Sequence, residues 1–388
     1  MSEVKNENAP LSSGGTKFKL INADGHYVEP GDIFTSRLPA KYHDQLPHIE
    51  SFDEGDAWIG GEYETPMPFG WFSCAGKGPE DMYPWIRWEE VDPGGYDGKA
   101  RVGVLDADGV DATVLYPGLT FLSIAIERDP VLHLLMAQAY NDWVLEFCSA
   151  APNRLGAVPW IPNRGVDDAL AEIERVKDEP GVVGFLMNCY PNGSLEITPE
   201  DDAVWEVLQD SGKSVSIHVA MTDTPPHLTP PRSAAMTLPG VGHFYDAPGR
   251  MLQFIFSGVL DRFPDLKVNL AEVDCGWMPY FQDQCDDNLL RHSKSVFRDH
   301  GLSMKPSEYM KRNFSASFIT DPVALETRER IGVHRMMWSN DYPHITSDWP
   351  YSWKTINASF ANIPEDERHA ILCGNAQRVF GFGNGQDA

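Results

Sequence analysis

Leu20-Ile21-Asn22-Ala23-Asp24-Gly25-His26-Tyr27-Val28-Glu29-Pro30 decides how this chain is read. The apolar run Phe18-Lys19-Leu20-Ile21 predicts a first strand over 18–23, and Asp24 and His26 follow it one residue apart. Side chains two positions apart on an extended chain point to the same face, so a carboxylate and an imidazole converge there on one point. Three more apolar runs end in the same kind of residue. They are Val215-Ser216-Ile217-His218, Val268-Asn269-Leu270-Ala271-Glu272 and Met336-Met337-Trp338-Ser339-Asn340-Asp341. An Asp/His/His/Glu/Asp set at strand ends is poor material for a core and good material for a metal ion.

Outward from that stretch, short apolar runs alternate with amphipathic segments. Strands are predicted over 18–23, 112–116, 155–160, 182–187, 214–218, 267–272, 313–318 and 336–340. The clearest helices between them are Asp129–Ala150, Val166–Lys177, Pro199–Ser211 and Pro248–Phe263. Eight strands alternating with helices predict an α/β fold, a (β/α)8 TIM barrel with inserted loops at its C-terminal mouth. No Gly-x-Gly-x-x-Gly follows the first strand, which disfavours a doubly wound open sheet. Residues 1–16 are polar and read as a disordered tail, leaving 17–388 as one barrel domain.

Two stretches interrupt the rhythm. Residues 44–98 are rich in Gly, Pro and acidic residues and hold Trp58, Trp71, Trp85 and Trp88; residues 220–247 hold five prolines with His227 and His243. They follow the first and fifth barrel strands, so both are expected at the mouth, where loops build active sites. Their aromatic content suits a lid over an apolar or aromatic substrate, the plainer alternative being inserted surface loops or oligomer contacts.

The 388 residues include 31 Lys and Arg against 57 Asp and Glu, a formal charge of −26. Phosphate recognition draws on basic faces, so the balance opposes binding to nucleic acid or to an anionic membrane. Cys74, Cys148, Cys189, Cys275, Cys285 and Cys373 form no Cys-x-x-Cys pair. That spacing suits reduced thiols in a cytoplasmic protein rather than a disulfide framework or a zinc knuckle. The N-terminus has no apolar signal core and no run is long enough to span a bilayer.

Imidazoles mixed with carboxylates suit a divalent ion such as Zn, Mn or Fe, and one or two ions fit the count of ligands. Asp24, His26, His218, Glu272 and Asp341 are the candidate metal ligands. Asp341 is also a candidate base for a metal-bound water, and Glu272 a candidate general acid or base, unless it pairs with a mouth arginine such as Arg250. His344, three residues past Asp341, is a candidate catalytic residue that either donates to substrate or orients Asp341. Glu29 is read as an acceptor for an imidazole N–H or as a simple cap. Asn188, in Asn188-Cys189-Tyr190, is expected to face substrate, and His243 is a weaker candidate.

The motifs Asp24-Gly25-His26-Tyr27-Val28-Glu29-Pro30, Ser257-Gly258-Val259-Leu260-Asp261-Arg262-Phe263-Pro264-Asp265-Leu266-Lys267, Ser339-Asn340-Asp341-Tyr342-Pro343-His344 and Ile371-Leu372-Cys373-Gly374-Asn375-Ala376-Gln377-Arg378-Val379-Phe380 carry a resemblance. Over nearly the whole chain after the tail, they resemble the amidohydrolase-related metal-dependent barrels that include aminocarboxymuconate semialdehyde decarboxylase and the resorcylate decarboxylases. The resemblance implies that the first strand supplies Asp24 and His26, the fifth His218 and the eighth Asp341 as ligands. It departs in two places: Asp24 stands where family members commonly carry the first His of His-x-His, and Glu272 where many carry a histidine. The second departure weakens a transfer of decarboxylase chemistry residue by residue.

The reading that results is a metal-dependent hydrolase or non-oxidative decarboxylase acting on an aromatic or alicyclic carboxylate or its derivative. The rival is a non-haem di-iron monooxygenase on the same barrel, with Glu272 completing the second iron site. A barrel kept only for binding is disfavoured, because all four family positions hold competent ligands. The expected partners are a small-molecule substrate and further copies of the chain in a homo-oligomer.

Overall fold

The computed structural model describes residues 19–60, 63–118, 120–218, 239–295 and 301–382. The expected tail 1–16, and all of the expected 220–247 insertion before Pro239, lie outside the described residues.

Eight parallel strands form the barrel: β1 (Ile21–His26), β5 (Ala112–Tyr116), β6 (Leu155–Ala157), β7 (Gly184–Leu186), β8 (Ser214–His218), β9 (Val268–Ala271), β10 (Phe314–Phe318) and β11 (Met336–Trp338). They run as one sheet in the order β1-β5-β6 and another from β7 through β8, β9 and β10 to β11. Parallel bridges Ala157 to Val182 and Trp160 to Leu186 join the two. The remaining seam, β11 to β1, is closed by His26 N–H to Tyr342 O at 2.7 Å and Asp341 N–H to Asp24 O at 2.9 Å. That seam therefore ties three candidate ligands together through their own backbone.

Helices cover the outside, so the strands are buried on both faces and read as continuous apolar runs. Asp97 and Asp129 cap the helices that follow them by accepting from the exposed first-turn amides. The helix α1 (Gly98–Asp108) ends at Gly109, whose φ of 67° needs a residue without a β-carbon. A helix expected to start at Pro248 instead runs Pro239–Phe256 with Pro248 inside it. Proline favours a first turn, but here Ala247, Met251, Phe254 and Ile255 are fully buried and hold the helix through the interruption.

The first insertion is more than a loop. It contains a small antiparallel sheet, β2 (His48–Ser51), β3 (Asp56–Gly60) and β4 (Tyr63–Pro68). Pro66 and Pro68 lie on β4, an edge strand, where a missing N–H costs no ladder bond. The insertion then returns over the mouth: Cys74 and Ala75 donate N–H to Pro343 O, and Val28 N–H donates to Gly95 O. All six cysteines are free of disulfides. No described helix is long and apolar enough to cross a membrane.

Candidate metal centre at the barrel mouth

The five side chains singled out at the strand ends meet, and His344 joins them. His26 Nε2 lies 3.1 Å from Asp341 Oδ1 and 3.5 Å from Asp24 Oδ1. His218 Nε2 lies 3.2 Å from His26 Nε2, 3.4 Å from Asp24 Oδ1 and 3.3 Å from Glu272 Oε2. His344 Nδ1 lies 3.0 Å from Asp341 Oδ1, and its ring stacks on that of His26 with centroids 3.8 Å apart.

Tautomers sharpen the picture. His26 Nδ1 is 2.8 Å from Pro117 O, and a carbonyl can only accept, so Nδ1 carries the proton. In the neutral ring Nε2 then presents a lone pair to two carboxylates and a second imidazole. Such a gathering of electron pairs is what a cation resolves. Donors about 2.1 Å from a divalent ion lie about 3.0 Å apart at right angles and about 3.4 Å apart at the tetrahedral angle. The separations above fall on that range, so this donor set fits a divalent ion.

The backbone concentrates strain at the same place. Glu272 and Asp341 have φ of 56° and 53°, a left-handed conformation that costs a residue with a β-carbon about 1–3 kcal/mol. Glu272 is pinned by its N–H to Ser317 Oγ at 2.9 Å, and Asp341 by the seam bond to Asp24 O. The bend turns each carboxylate from its strand end into the mouth.

Electrostatics separate the roles. Burial pushes the Asp341 carboxyl up, but the neighbouring imidazoles of His344 and His26 outweigh it and hold the group well below the usual carboxylate range. Thr346 Oγ donates to the other oxygen, Oδ2. One layer down, Tyr116 OH donates to Ser216 Oγ at 2.9 Å and accepts from Asn269 Nδ2 at 3.0 Å. Burial, then the Asp24 charge, push this phenol well above its ordinary value, so the floor of the site is neutral and polar.

Other sequence candidates fall elsewhere. Glu29 accepts from Gly118 N–H at 2.7 Å and braces the loop after β5; the proton of His26 goes to Pro117 O instead. Asn188 is buried and accepts from Asn163 Nδ2, and Tyr190 OH donates to Gln253 Oε1. Both contacts tie neighbouring loops together, as buried amides and phenols are normally hydrogen-bonded. Arg250 donates to Leu195 O and Gln253 Oε1, while Glu272 faces His218. The side chain of His243 lies outside the described residues.

Three contributors went unread in the sequence. Phe72, from the insertion, sets its ring edge-on to His344 at 5.1 Å. Thr346 fixes Asp341. Arg101, on α1, is buried behind the Asp-Gly-His segment; it donates from Nε to Gly94 O at 2.6 Å and from Nη2 to His26 O, and lies 4.7 Å over the Tyr342 ring. It thus holds both sides of the seam that carries Asp24, His26 and Asp341. Arg101→Met would leave two buried carbonyls without that donor, at about 1–3 kcal/mol each. The expected result is a loss of about 2–5 kcal/mol in denaturant unfolding, with weaker metal retention. Stability within experimental error of the parent would remove Arg101 from this role.

A parallel eight-stranded barrel whose mouth gathers carboxylates and imidazoles from β1, β8, β9 and the loop after β11 is the architecture of a metal-assisted hydrolase or lyase. The chain belongs to the amidohydrolase family, whose profile matches residues 79–382. Among curated proteins it is 25% identical over 336 residues to the gamma-resorcylate decarboxylase of Polaromonas sp. (strain JS666 / ATCC BAA-500), covering 79% of this chain and 93% of that one. Among solved structures, an amidohydrolase from Mycobacterium avium subsp. paratuberculosis K-10 superposes with a TM-score of 0.71 at 19% identity, over 95% of this chain and all of that one. The 5-carboxyvanillate decarboxylase of Novosphingobium aromaticivorans, complexed with manganese and a nitrobenzoic acid, gives a TM-score of 0.68 at 16% identity, over 96% and 98% of the two chains. The expected (β/α)8 fold and family hold.

Proposed function

We propose that this protein is a divalent-metal-dependent carboxy-lyase that removes carbon dioxide, without oxidation, from an aromatic carboxylate. The observation that carries the reading is the set Asp24, His26, His218 and Asp341, whose neighbouring donor atoms stand 3.1–3.5 Å apart at the barrel mouth. The names of its relatives, decarboxylases of resorcylate and carboxyvanillate, support the same chemistry and favour it over the iron oxygenase. The manganese in the latter supports a divalent ion here.

Asp24, His26, His218 and Asp341 would hold the ion, and Glu272 and His344 flank it. When bound, the ion supplies positive charge that orients the substrate oxygens and stabilises negative charge developing in the reaction. Asp341, an anion in the resting site, takes a proton from water and delivers it to the ring carbon that bears the carboxylate. The bond from that carbon to the carboxylate breaks, its electron pair returns to the ring, and carbon dioxide leaves with hydroxide as the other product. His344 and Thr346 hold Asp341 in place for the transfer. Phe72, edge-on to His344, offers an apolar wall for an aromatic ring. The single barrel domain of 17–388 carries all of these groups.

Free thiols fit a cytoplasmic setting. Tyr280 and Leu290, on the helix Met278–His292, are 72% and 76% exposed and offer apolar surface to a second copy in a homo-oligomer.

The test is a manganese-loaded preparation incubated without oxygen with a panel of hydroxylated benzoates such as 2,6-dihydroxybenzoate. Stoichiometric release of carbon dioxide and the decarboxylated phenol is expected. Turnover that needs oxygen, with oxygen uptake, would replace the reading with the di-iron oxygenase; release of an alcohol or amine from an ester or amide would replace it with hydrolysis.

A further inference from the structure

We infer that Glu29 is a positioning residue for the metal centre, holding His26 in its ligand geometry through a single peptide unit, Pro117–Gly118. This rests on the reading above that His26 is a metal ligand. It gives a role in that centre to a buried carboxyl that the proposed reaction does not use.

The peptide between Pro117 and Gly118 directly follows β5. In a trans peptide the carbonyl and the N–H share one plane and point in opposite directions. Here the carbonyl accepts from His26 Nδ1 at 2.8 Å, and the N–H donates to Glu29 Oε1 at 2.7 Å. One side of the peptide thus faces a candidate ligand, and the other faces the carboxyl three residues after it. His26 and Glu29 are 0% and 1% exposed, so bulk water replaces neither bond.

The plane itself is rigid, and its soft motion is a rotation of the whole unit between the flanking α-carbons. That rotation would carry the carbonyl away from His26 and the N–H away from Glu29 together. Glu29 therefore resists the very movement that would release the imidazole. Packing closes the other routes: a β-carbon on Gly118 would stand 2.6 Å from Tyr27 O and 2.8 Å from Glu29 Oε2. Tyr27 N–H also donates to Tyr116 O at 3.1 Å, so the end of β1 and the loop after β5 meet at contact distance.

With the Nδ1 proton committed to Pro117 O, the Nε2 lone pair of His26 stays directed at the centre. Metal-bound imidazoles are oriented in this way by a carbonyl or a carboxylate on the far ring nitrogen. In this chain the two act in series, the carboxyl fixing the peptide and the peptide fixing the ring. Oε1 accepts from the Gly118 N–H whether or not the carboxyl is ionised, so the role depends on reach and not on charge. The competing account makes Glu29 a brace for the loop with no bearing on the ligand.

Two variants separate reach from charge. Glu29→Gln keeps an oxygen at the same reach and removes the charge; Glu29→Asp keeps the charge and withdraws the oxygen by one methylene. The chain is stripped with chelator and titrated with Co(II) in competition with a chelating indicator. Proton resonance spectra of the Co(II) form report the exchangeable imidazole N–H signals that the ion shifts. Glu29→Gln is expected to match the parent in affinity and in these signals. Glu29→Asp is expected to bind about 10–100-fold more weakly, with one shifted N–H signal lost to solvent exchange. Parent-like affinity in Glu29→Asp, even with a lower melting temperature, would leave Glu29 a loop brace and overturn the inference. Equal or greater weakening in Glu29→Gln would assign the effect to charge and overturn it as well. Gly118→Ala pushes the same peptide against Glu29 and Tyr27; it is expected to weaken binding likewise, and it decides the matter if Glu29→Asp does not fold. An unmodified chain that binds no Co(II) would instead overturn the metal-centre reading, and this inference with it.

Discussion

His218→Ala is expected to strip the centre of most of its metal and activity while the barrel stays folded. His218 ends β8, and its Nε2 is within 3.5 Å of three other candidate ligands: His26, Asp24 and Glu272. No other side chain of the set touches both Asp24 and Glu272 among the contacts described. Mutating a residue that merely orients a ligand typically costs 10–100-fold in metal affinity, so loss of the ligand itself is expected to cost about 100-fold or more. Folding does not depend on the imidazole. The strand is held by backbone pairing, with His218 in register with Ala271 on one side and Leu186 with Ser216 on the other. Metal content after dialysis, read beside the far-ultraviolet circular dichroism spectrum, separates the two. Full occupancy with normal turnover in a folded variant would withdraw His218 from the centre.

The barrel was legible because its strands are short, mostly apolar segments alternating with amphipathic ones, and the pattern fails at the edges. The first strand is a case in point. Its end was expected at Ala23, where polarity begins, yet β1 continues through Asp24 and Gly25 to His26, and all six of its residues are buried. Polar side chains normally mark the point where a strand meets water. Here they stay buried because they face one another at the mouth, beneath the insertion. The small sheet of 48–68 was missed for the opposite reason. Gly60-Gly61 between two β-forming runs is a hairpin signal, but Pro66 and Pro68 masked the second run.

For the site, the ligands were legible because their chemistry is carried by side chains at predictable positions. What supports them was not. Pro117 acts through its carbonyl, which no side-chain pattern records. Arg101 does leave a trace: α1 buries Gly98, Arg101, Val104, Leu105 and Asp108. A cation and an anion thus sit in phase with the apolar face, and charge in that phase is rarely idle. Asp108 accepts from Ser352 N–H, from Ser352 Oγ and from Asn340 Nδ2, so it too fastens the approach to Asp341. Phe72 was hidden in the insertion, where aromatic residues are many and only tertiary contact selects one.

Asp341→Asn should leave much of the metal in place and still abolish most of the turnover. The amide is nearly isosteric with the carboxylate, and the surroundings fix its orientation. His344 Nδ1 faces Oδ1 at 3.0 Å, so the amide oxygen belongs there; Thr346 Oγ faces the other position and can rotate to accept from the amide nitrogen. The oxygen that remains beside His26 Nε2 is a weaker, neutral ligand, which predicts partial rather than complete loss of metal at low concentration and full occupancy when manganese is in excess. Under that excess any residual defect belongs to proton transfer. An amide cannot take up a proton at neutral pH, and a positioned acid or base is worth about 10²–10⁴ in rate. The expected kcat is therefore lower by at least about 100-fold, with KM little changed. Thr346→Ala supplies the control, since it keeps the carboxylate and removes only one hydrogen bond to it; a loss there of about tenfold or less would place the effect on the carboxylate itself. Metal-saturated Asp341→Asn with unchanged kcat would show that the proton travels by another group, and Glu272, on the opposite side of His218, would be the residue to test.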